Sequence, residues 1–413
     1  MTETRSDTTK PGPALRRRLG FWLLTLYGLG VTIGAGIYVL IGKVAGETGA
    51  LMPLAFLAAA VLAGLTALSF AELAARFPRS AGEAIYIREG FGSKALSLIA
   101  GLAVALVGMV SSAAIAIGAA GYIGEIVPLP RWALITIVIV ALTALACWGI
   151  KESVLVAGIV TVLEIAGLLL VVGVALPEFS ELGNNLTVAT PGDGFVWAGF
   201  MGAMMLAFFA FVGFEDMVNV IEEVKEPRRI MPYAIIATLI GSTVIYVLVA
   251  LAALAVVPPA ELAASDAPLA LVYEKASGVS PVLLIAIASF ATLNGIVIQT
   301  VMASRVLYGL SWQGSIPAVF CRINPRTHTP IIATVSVGAL ILVMALALPI
   351  EALAEATALI VLAIFTAVNL ALGLIKRRDP VGPSSFAVPA FWPWLAFAVS
   401  LAILTADAAR RLL

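Results

Sequence analysis

Apolar runs of about 20 residues follow one another along almost the whole chain, separated by short polar or turn-forming segments. A helix of this length crosses the hydrocarbon core of a bilayer. Pro, Gly and charged residues mark the breaks, as in RFPRSAGE, KEPRRIMP and KRRDPVGPSS. We therefore predict an all-α polytopic membrane protein with about eleven transmembrane helices. They lie near 21–42, 51–77, 95–127, 131–149, 153–176, 195–221, 231–257, 281–304, 329–348, 352–375 and 388–408.

The first apolar run contains an unusual cluster of glycines, Gly28, Gly30, Gly34 and Gly36, with Thr32 among them. Glycine weakens a helix, and a backbone that leaves the helix inside a membrane must be buried in protein or line a cavity. The opened turn would present N–H groups to a carboxylate and carbonyls to a cation. The alternative is that these small residues only let a neighbouring helix pack closely.

Charge agrees with a membrane location, because 62% of the residues are hydrophobic and 12% are charged, against about 25% charged in soluble proteins. With a cytoplasmic N-terminus, all but five of the 24 Lys and Arg residues lie on the cytoplasmic side, as the positive-inside rule requires. The polar tail 1–20 is then cytoplasmic, and an odd number of helices places the C-terminus outside. The five exceptions are Lys43, Arg131, Lys275, Arg410 and Arg411.

Carboxyl groups inside apolar runs are costly and indicate function. Glu164 lies midway along the fifth predicted helix, with no basic residue nearby in that helix. Burial disfavours its charged form, so it could collect a proton from one side of the membrane and release it to the other. The alternative is a protonated, hydrogen-bonded structural residue.

Two further acids, Glu215 and Asp216, follow Gly213 in the sixth helix, and Glu72 lies near the cytoplasmic end of the second. We expect Glu215 to accept backbone N–H groups freed by a break near Gly213, in a structural or gating role, with direct substrate contact as the alternative. Asp216 is interpreted as a neighbour in a watery vestibule. Glu72 is interpreted as structural, since arginines of the same helix end lie within reach.

The eighth helix carries Ser289, Thr292 and Gln299 at helical spacing, so they share one face. This face could turn towards the first and fifth helices around a proton or ion site. Alternatively, the hydroxyls bond to the backbone of their own helix.

The sequence has no nucleotide-binding loop, no HExxH or GxSxG motif and no Cys/His pattern with metal-ligand spacing. We therefore predict no enzymatic activity, no cofactor, no metal site and no nucleic-acid partner. The lone histidine, His328, is placed in a loop.

Four segments in order carry a family resemblance: GAGIYVLIG (34–42), AELAARFPRSAGEAIYIREGFG (71–92), the stretch from FFAFVGFED to MPYAI (208–235), and SRVLYGLSWQGSIPAVF (304–320). Over nearly its whole length the chain resembles the amino acid–polyamine–organocation (APC) transporter family. The resemblance implies one transporter domain, 21–413. It would contain two inverted five-helix repeats, 21–176 and 195–375, with interrupted first and sixth helices, plus an extra helix, 388–408.

The resemblance also implies where a substrate binds. Its carboxylate would meet the backbone N–H groups of Gly34, Ala35 and Gly36, and its amine would meet carbonyls near Thr32, Ile33, Phe209, Val212 and Gly213. Aromatic and small polar side chains would line or gate the pocket, namely Phe208, Phe209, Phe211, Phe214, Glu215, Ser111 and Ser112.

One departure concerns the fifth helix, where many family members carry a lysine and this chain has Glu164. Our hypothesis is that Glu164 takes the coupling proton, or holds a cation such as sodium, beside the first and eighth helices. It could instead favour a cationic substrate. We thus predict a multi-pass secondary transporter in the cell membrane bilayer that imports amino acids or related amines by proton symport with alternating access. An antiporter with a structural Glu164 and a non-transporting membrane sensor are the alternatives.

Overall fold

The computed structural model describes residues 19–79, 82–148, 154–180, 197–312, 314–327, 329–380 and 385–412. Within these residues the protein is helical, and its β-structure is a single isolated bridge. The α-helices are α1 (Phe21–Thr48), α2 (Met52–Arg76), α3 (Gly82–Phe91), α4 (Lys94–Gly124), α5 (Arg131–Trp148), α6 (Val154–Ala175), α7 (Trp197–Phe209), α8 (Pro227–Val256), α9 (Pro259–Ala264), α10 (Pro268–Ser277), α11 (Val282–Trp312), α12 (Ile331–Ala347), α13 (Ile350–Arg378) and α14 (Trp392–Leu412).

The described residues contain nine helical segments long and apolar enough to cross a membrane, one of which, Gly36–Arg76, joins the second half of α1 to α2. Two shorter apolar helices, Phe21–Gly34 and Ile331–Ala347, accompany them. The predicted all-α polytopic membrane protein is therefore confirmed, and each of the eleven predicted runs has a helical counterpart.

The structure corrects three details of the sequence prediction. The first helix reaches Thr48 and the eighth apolar run continues to Trp312, because both runs keep helix-forming residues beyond the predicted membrane span. The predicted loops also contain the short helices α3, α9 and α10. Helices α9 and α10 begin at proline, which is favourable at the first helical position.

Both predicted interruptions are present. Helix α1 leaves helical geometry at Gly34, where φ is −14° and ψ is −136°. Helix α7 ends at Phe209, a turn follows, and a 3₁₀ helix then runs over Phe214–Glu223. Gly213 ends this turn with φ of 129°, a conformation that side-chain-bearing residues rarely adopt.

The two interrupted helices are joined at one end by main-chain hydrogen bonds. The Leu19 N–H donates to the Glu223 carbonyl over 3.0 Å, and the Lys225 N–H donates to the Leu19 carbonyl over 2.9 Å. This is the isolated parallel bridge of the fold, between Leu19 and Val224. The bridge therefore connects the start of α1 to the end of the 3₁₀ helix that follows the second break.

Glu72 is fully buried in a network that connects α2 to α13 and to the segment before α14. Its carboxylate accepts hydrogen bonds from Arg76 (2.9 Å), from Lys376 (2.8 Å) and from the Val388 N–H (2.8 Å). The structural interpretation of Glu72 thus has a geometric basis, with Lys376 as a partner that lies 304 residues away in sequence.

We expect Glu72→Ala to lower the free energy of unfolding by about 3–5 kcal/mol, because it leaves buried cations without their counter-ion. Thermal unfolding of the purified protein in detergent measures the change. The matched control is Glu261→Ala, which removes the exposed Lys275–Glu261 ion pair and should cost below about 1 kcal/mol. Equal losses for the two variants would contradict a stabilising role for the buried network.

Candidate functional site

The two interrupted helices meet at their breaks. A Cβ atom added at Gly36 would lie 2.6 Å from the Ala210 Cα, and one added at Gly213 would lie 2.7 Å from the Val31 carbonyl oxygen. Gly34 differs, since it is buried and yet a Cβ placed there would meet nothing within 4 Å. The main chain of Gly34 therefore borders a small open space inside the protein, beside the contact between the two breaks.

Tyr246 of α8 bridges the two breaks. Its phenol oxygen lies 2.7 Å from the Thr32 carbonyl and 2.7 Å from the Ala210 carbonyl. A phenol has a single proton to donate, so the two carbonyls must share it. The Tyr246 ring is fully buried against Phe211 and Phe56, with centroid distances of 5.0 and 5.8 Å. Tyr246 thus connects a main-chain carbonyl of the first break to one of the second.

We expect Tyr246→Phe to cost about 1–3 kcal/mol of stability, because it leaves buried carbonyls unsatisfied while keeping the ring. The change is measured as the shift in thermal unfolding midpoint. Tyr233→Phe on the same helix is the control, since Tyr233 is about half exposed. A Tyr246→Phe variant as stable as this control would show that the phenol does not hold the breaks together.

Glu164 of α6 lies against the broken part of α1. Its side chain is 1% exposed, and both carboxylate oxygens lack a hydrogen-bond partner among the described residues. The Tyr38 phenol donates to its main-chain carbonyl over 2.7 Å. Its carboxyl group also interacts electrostatically with the phenols of Tyr38 and Tyr246. A buried carboxyl with free oxygens requires a proton, a cation or a ligand group to satisfy it.

Two hydroxyl groups of predicted site residues are also free. Thr32 Oγ1 in α1 and Ser112 Oγ in α4 are buried and have no hydrogen-bond partner within the part of the chain that the structure describes. Ser111 is buried beside Ser112. Buried polar groups are usually paired, and a role of Thr32 and Ser112 in binding a solute stays a prediction.

The aromatic residues of the sixth helix are buried in two clusters. Phe208 and Phe214 pack against Phe365 at centroid distances of 5.9 and 5.4 Å. Phe211 packs against Tyr246, as described above, while Phe209 is buried and Val212 is partly buried. These side chains surround the break closely, and their role as a gate stays a prediction.

Comparison with known proteins agrees with this architecture. A family model described as "Amino acid permease" matches residues 19–408. The chain belongs to the amino acid permease family. The resemblance to APC transporters is thereby confirmed, and the family indicates a transporter rather than an enzyme.

Curated relatives of this permease carry transporter names. It is 28% identical to a branched-chain amino acid permease of Bacillus subtilis, over 91% of this chain and 84% of the relative. It is 28% identical to a vacuolar cationic amino acid transporter of Arabidopsis thaliana, over 89% of this chain and 64% of that protein. A methylthioribose transporter of Bacillus subtilis is 26% identical, over 94% of this chain and 87% of its own length. The names of the relatives thus span several substrates.

The acids that follow the second break of the permease have defined partners. The Gly213 N–H donates to Glu215 Oε2 over 2.8 Å, a contact of the kind expected for a carboxylate that caps a broken helix. Asp216 accepts a hydrogen bond from Gln299 Nε2 over 3.1 Å. Gln299 therefore reaches the sixth-helix break rather than the Glu164 side of the permease.

The hydroxyls of the predicted ion-binding face make local bonds. Ser289 donates to the Ile285 carbonyl and Thr292 to the Ser289 carbonyl, each over 2.8 Å. Both bonds lie within α11, as in the alternative interpretation from the sequence, and a contribution to ion coupling stays a prediction. His328 and the tail 1–18 fall outside the described residues, as does the side chain of Ala35.

Proposed function

We propose that this permease is a secondary active transporter that carries an amino acid across the cell membrane by alternating access, driven by proton symport. The observation that carries the proposal is the contact between the breaks of the first and sixth helices, together with the buried Glu164 carboxyl beside them, whose oxygens have no hydrogen-bond partner among the described residues. The breaks supply main-chain groups for a zwitterion, and Glu164 supplies a group that a proton can satisfy.

In the proposed binding mode, the substrate carboxylate occupies the open space at Gly34 and accepts N–H bonds from Gly34, Ala35 and Gly36. The amine binds the carbonyls of Thr32 and Ile33 and those around Phe209 and Val212. The Thr32 carbonyl keeps a lone pair for this bond, because Tyr246 uses only one of the two. Thr32 Oγ1 and Ser112 Oγ would contact the substrate directly.

We also propose two inverted repeats, 21–176 and 195–375. Support comes from the position of each break, which follows soon after the start of its repeat, at Gly34 in the first and at 210–213 in the second. The cytoplasmic N-terminus and external C-terminus are proposed from the distribution of Lys and Arg.

Transport is tested with the purified full chain in proteoliposomes. We expect labelled leucine, lysine or arginine to accumulate faster with an inwardly directed proton gradient than without one. Counterflow that exceeds gradient-driven uptake would favour the antiporter, and binding in a thermal-shift screen without any flux would favour the sensor.

A cationic substrate is a second candidate, because the free carboxylate oxygens of Glu164 could pair with a basic side chain. The name of the plant relative is compatible with this substrate class. Competition decides between the candidates. Inhibition of leucine uptake by excess lysine, arginine or putrescine, reduced in Glu164→Gln, would support a cationic substrate, whereas inhibition only by neutral amino acids would exclude it.

A further inference from the structure

A second group of buried acids, distinct from Glu164, lies beside the 3₁₀ helix that follows the sixth-helix break. A cavity there holds about 10 Å³ of space, room for about one water molecule. Its polar lining consists of Glu83 from α3, Glu215 and Asp216 from the 3₁₀ helix, and Gln299 from α11. The lining residues of α4 and α13 are apolar.

The three carboxyl groups are close enough to repel one another. Glu83 interacts electrostatically with Asp216, and Glu215 interacts with both of them. None of the lining residues that the structure describes is Lys, Arg or His. Three negative charges in a site of low dielectric would be strongly unfavourable. The cluster must therefore hold at least one proton or small cation.

The amide of Gln299 indicates whether the acid cluster holds a proton or a small cation. Its side chain is 7% exposed, its nitrogen donates to Asp216, and its oxygen has no partner among the described residues. A free amide oxygen at the wall of the cavity accepts a hydrogen bond, and a protonated carboxyl is a donor. In the described part of the chain, no group of three or more His, Cys, Asp or Glu residues is arranged to hold a metal ion. The geometry thus favours a proton.

Glu83 belongs to α3, outside the candidate membrane spans. Burial raises the pKa of Glu83 to about 8, and the nearby charge of Asp216 contributes to the rise. Tyr86 of the same helix is the other titratable group that faces Glu83, and its buried phenol has no partner in the described structure. Glu83 would therefore be protonated at neutral pH and lose its proton in mildly alkaline conditions.

We propose that this cavity is a proton-binding site in which Glu83, Glu215 and Asp216 share a proton that is hydrogen-bonded to the Gln299 carbonyl. Helix α3 packs directly on the 3₁₀ helix, through Gly82 against Val218. Loss of the proton would set like charges against each other across this contact and loosen it. This conformational role rests on the transport function proposed above, whereas proton binding itself does not.

Infrared difference spectroscopy on the full-length protein in liposomes tests the site. The carbonyl band of protonated carboxyls is followed as the pH rises from about 5 to about 9. We expect Glu83→Gln to remove a component that titrates near pH 8 in the wild type. Glu89→Gln, an exposed acid of the same helix, should retain it. An identical titration in Glu83→Gln and Glu89→Gln would overturn the proposal.

Gln299→Leu gives an independent measurement that leaves every carboxyl in place. Without its acceptor the protonated form is less stable, so the same band should titrate at lower pH, and an unshifted band would overturn the proposal. A titration that shifts when sodium replaces choline would also overturn it, in favour of a metal-cation site. These measurements use neither substrate nor flux. Failure of the proposed transport function would therefore not by itself overturn the proton-binding site.

Discussion

Glu164→Gln should abolish the stimulation of amino acid uptake by a proton gradient, with at least a tenfold loss in gradient-driven accumulation. Glutamine keeps the size and polarity of the side chain but cannot exchange a proton. The wild-type carboxyl is buried beside the break in α1 and makes no hydrogen bond through its oxygens within the described residues. It is therefore free to be satisfied by a proton that arrives with the substrate. Uptake in proteoliposomes, with and without the gradient, measures the effect.

Counterflow in the same liposomes provides the internal control. If Glu164 only couples the proton, Glu164→Gln should still exchange labelled for unlabelled substrate, because the main-chain groups at the breaks are unchanged. Glu178→Gln is the matched variant, since Glu178 is an exposed acid just beyond the end of the same helix. Gradient-dependent uptake that survives in Glu164→Gln would remove this residue from coupling and favour the structural interpretation.

Features that depend on local sequence can be predicted from the amino-acid sequence alone. Clustered glycines in an apolar run predict the break in the first helix, and Gly34 is where the backbone leaves helical geometry. Gly213 similarly coincides with the end of the second break. Glu164 can be recognised as a functional candidate from the sequence, because placing a carboxyl group in an apolar membrane helix costs free energy. This inference does not require knowledge of the residues that surround it. In each case the signal lies within one stretch of chain.

Features that depend on distant partners do not show in the sequence. Tyr246 reads as an ordinary residue of an apolar run, and its role depends on carbonyls 214 and 36 residues away. Glu83 follows a polar, turn-rich segment typical of an exposed loop, and it is buried because α3 packs against α4, α13 and the 3₁₀ helix. No single-sequence pattern encodes these juxtapositions, because they arise when helices far apart in the chain come together.

Two glycines of the first break should lose stability to different extents when replaced by alanine. A methyl group at Gly36 would lie 2.6 Å from the Ala210 Cα, and backbone cannot move aside cheaply. Gly36→Ala should therefore separate the two broken helices, lower stability by about 1–3 kcal/mol and reduce uptake at least tenfold. A methyl group at Gly34 meets nothing within 4 Å. Gly34→Ala should lower the unfolding midpoint less than Gly36→Ala and still reduce uptake, because the methyl occupies the space proposed for the substrate carboxylate.

Gly173→Ala calibrates both measurements. Gly173 is an exposed residue of α6 with open space around it, so alanine there should be neutral or slightly stabilising through its higher helix propensity. Thermal unfolding and labelled uptake of the three variants then separate steric damage from blocked binding. If Gly34→Ala transported as well as Gly173→Ala, the open space at the first break would not be where the substrate binds. If Gly36→Ala were also as stable as the control, the close contact between the breaks would have no energetic importance. Reduced uptake in both variants, with the larger loss of stability at Gly36, follows only if the two breaks pack closely against each other and also leave room for a substrate.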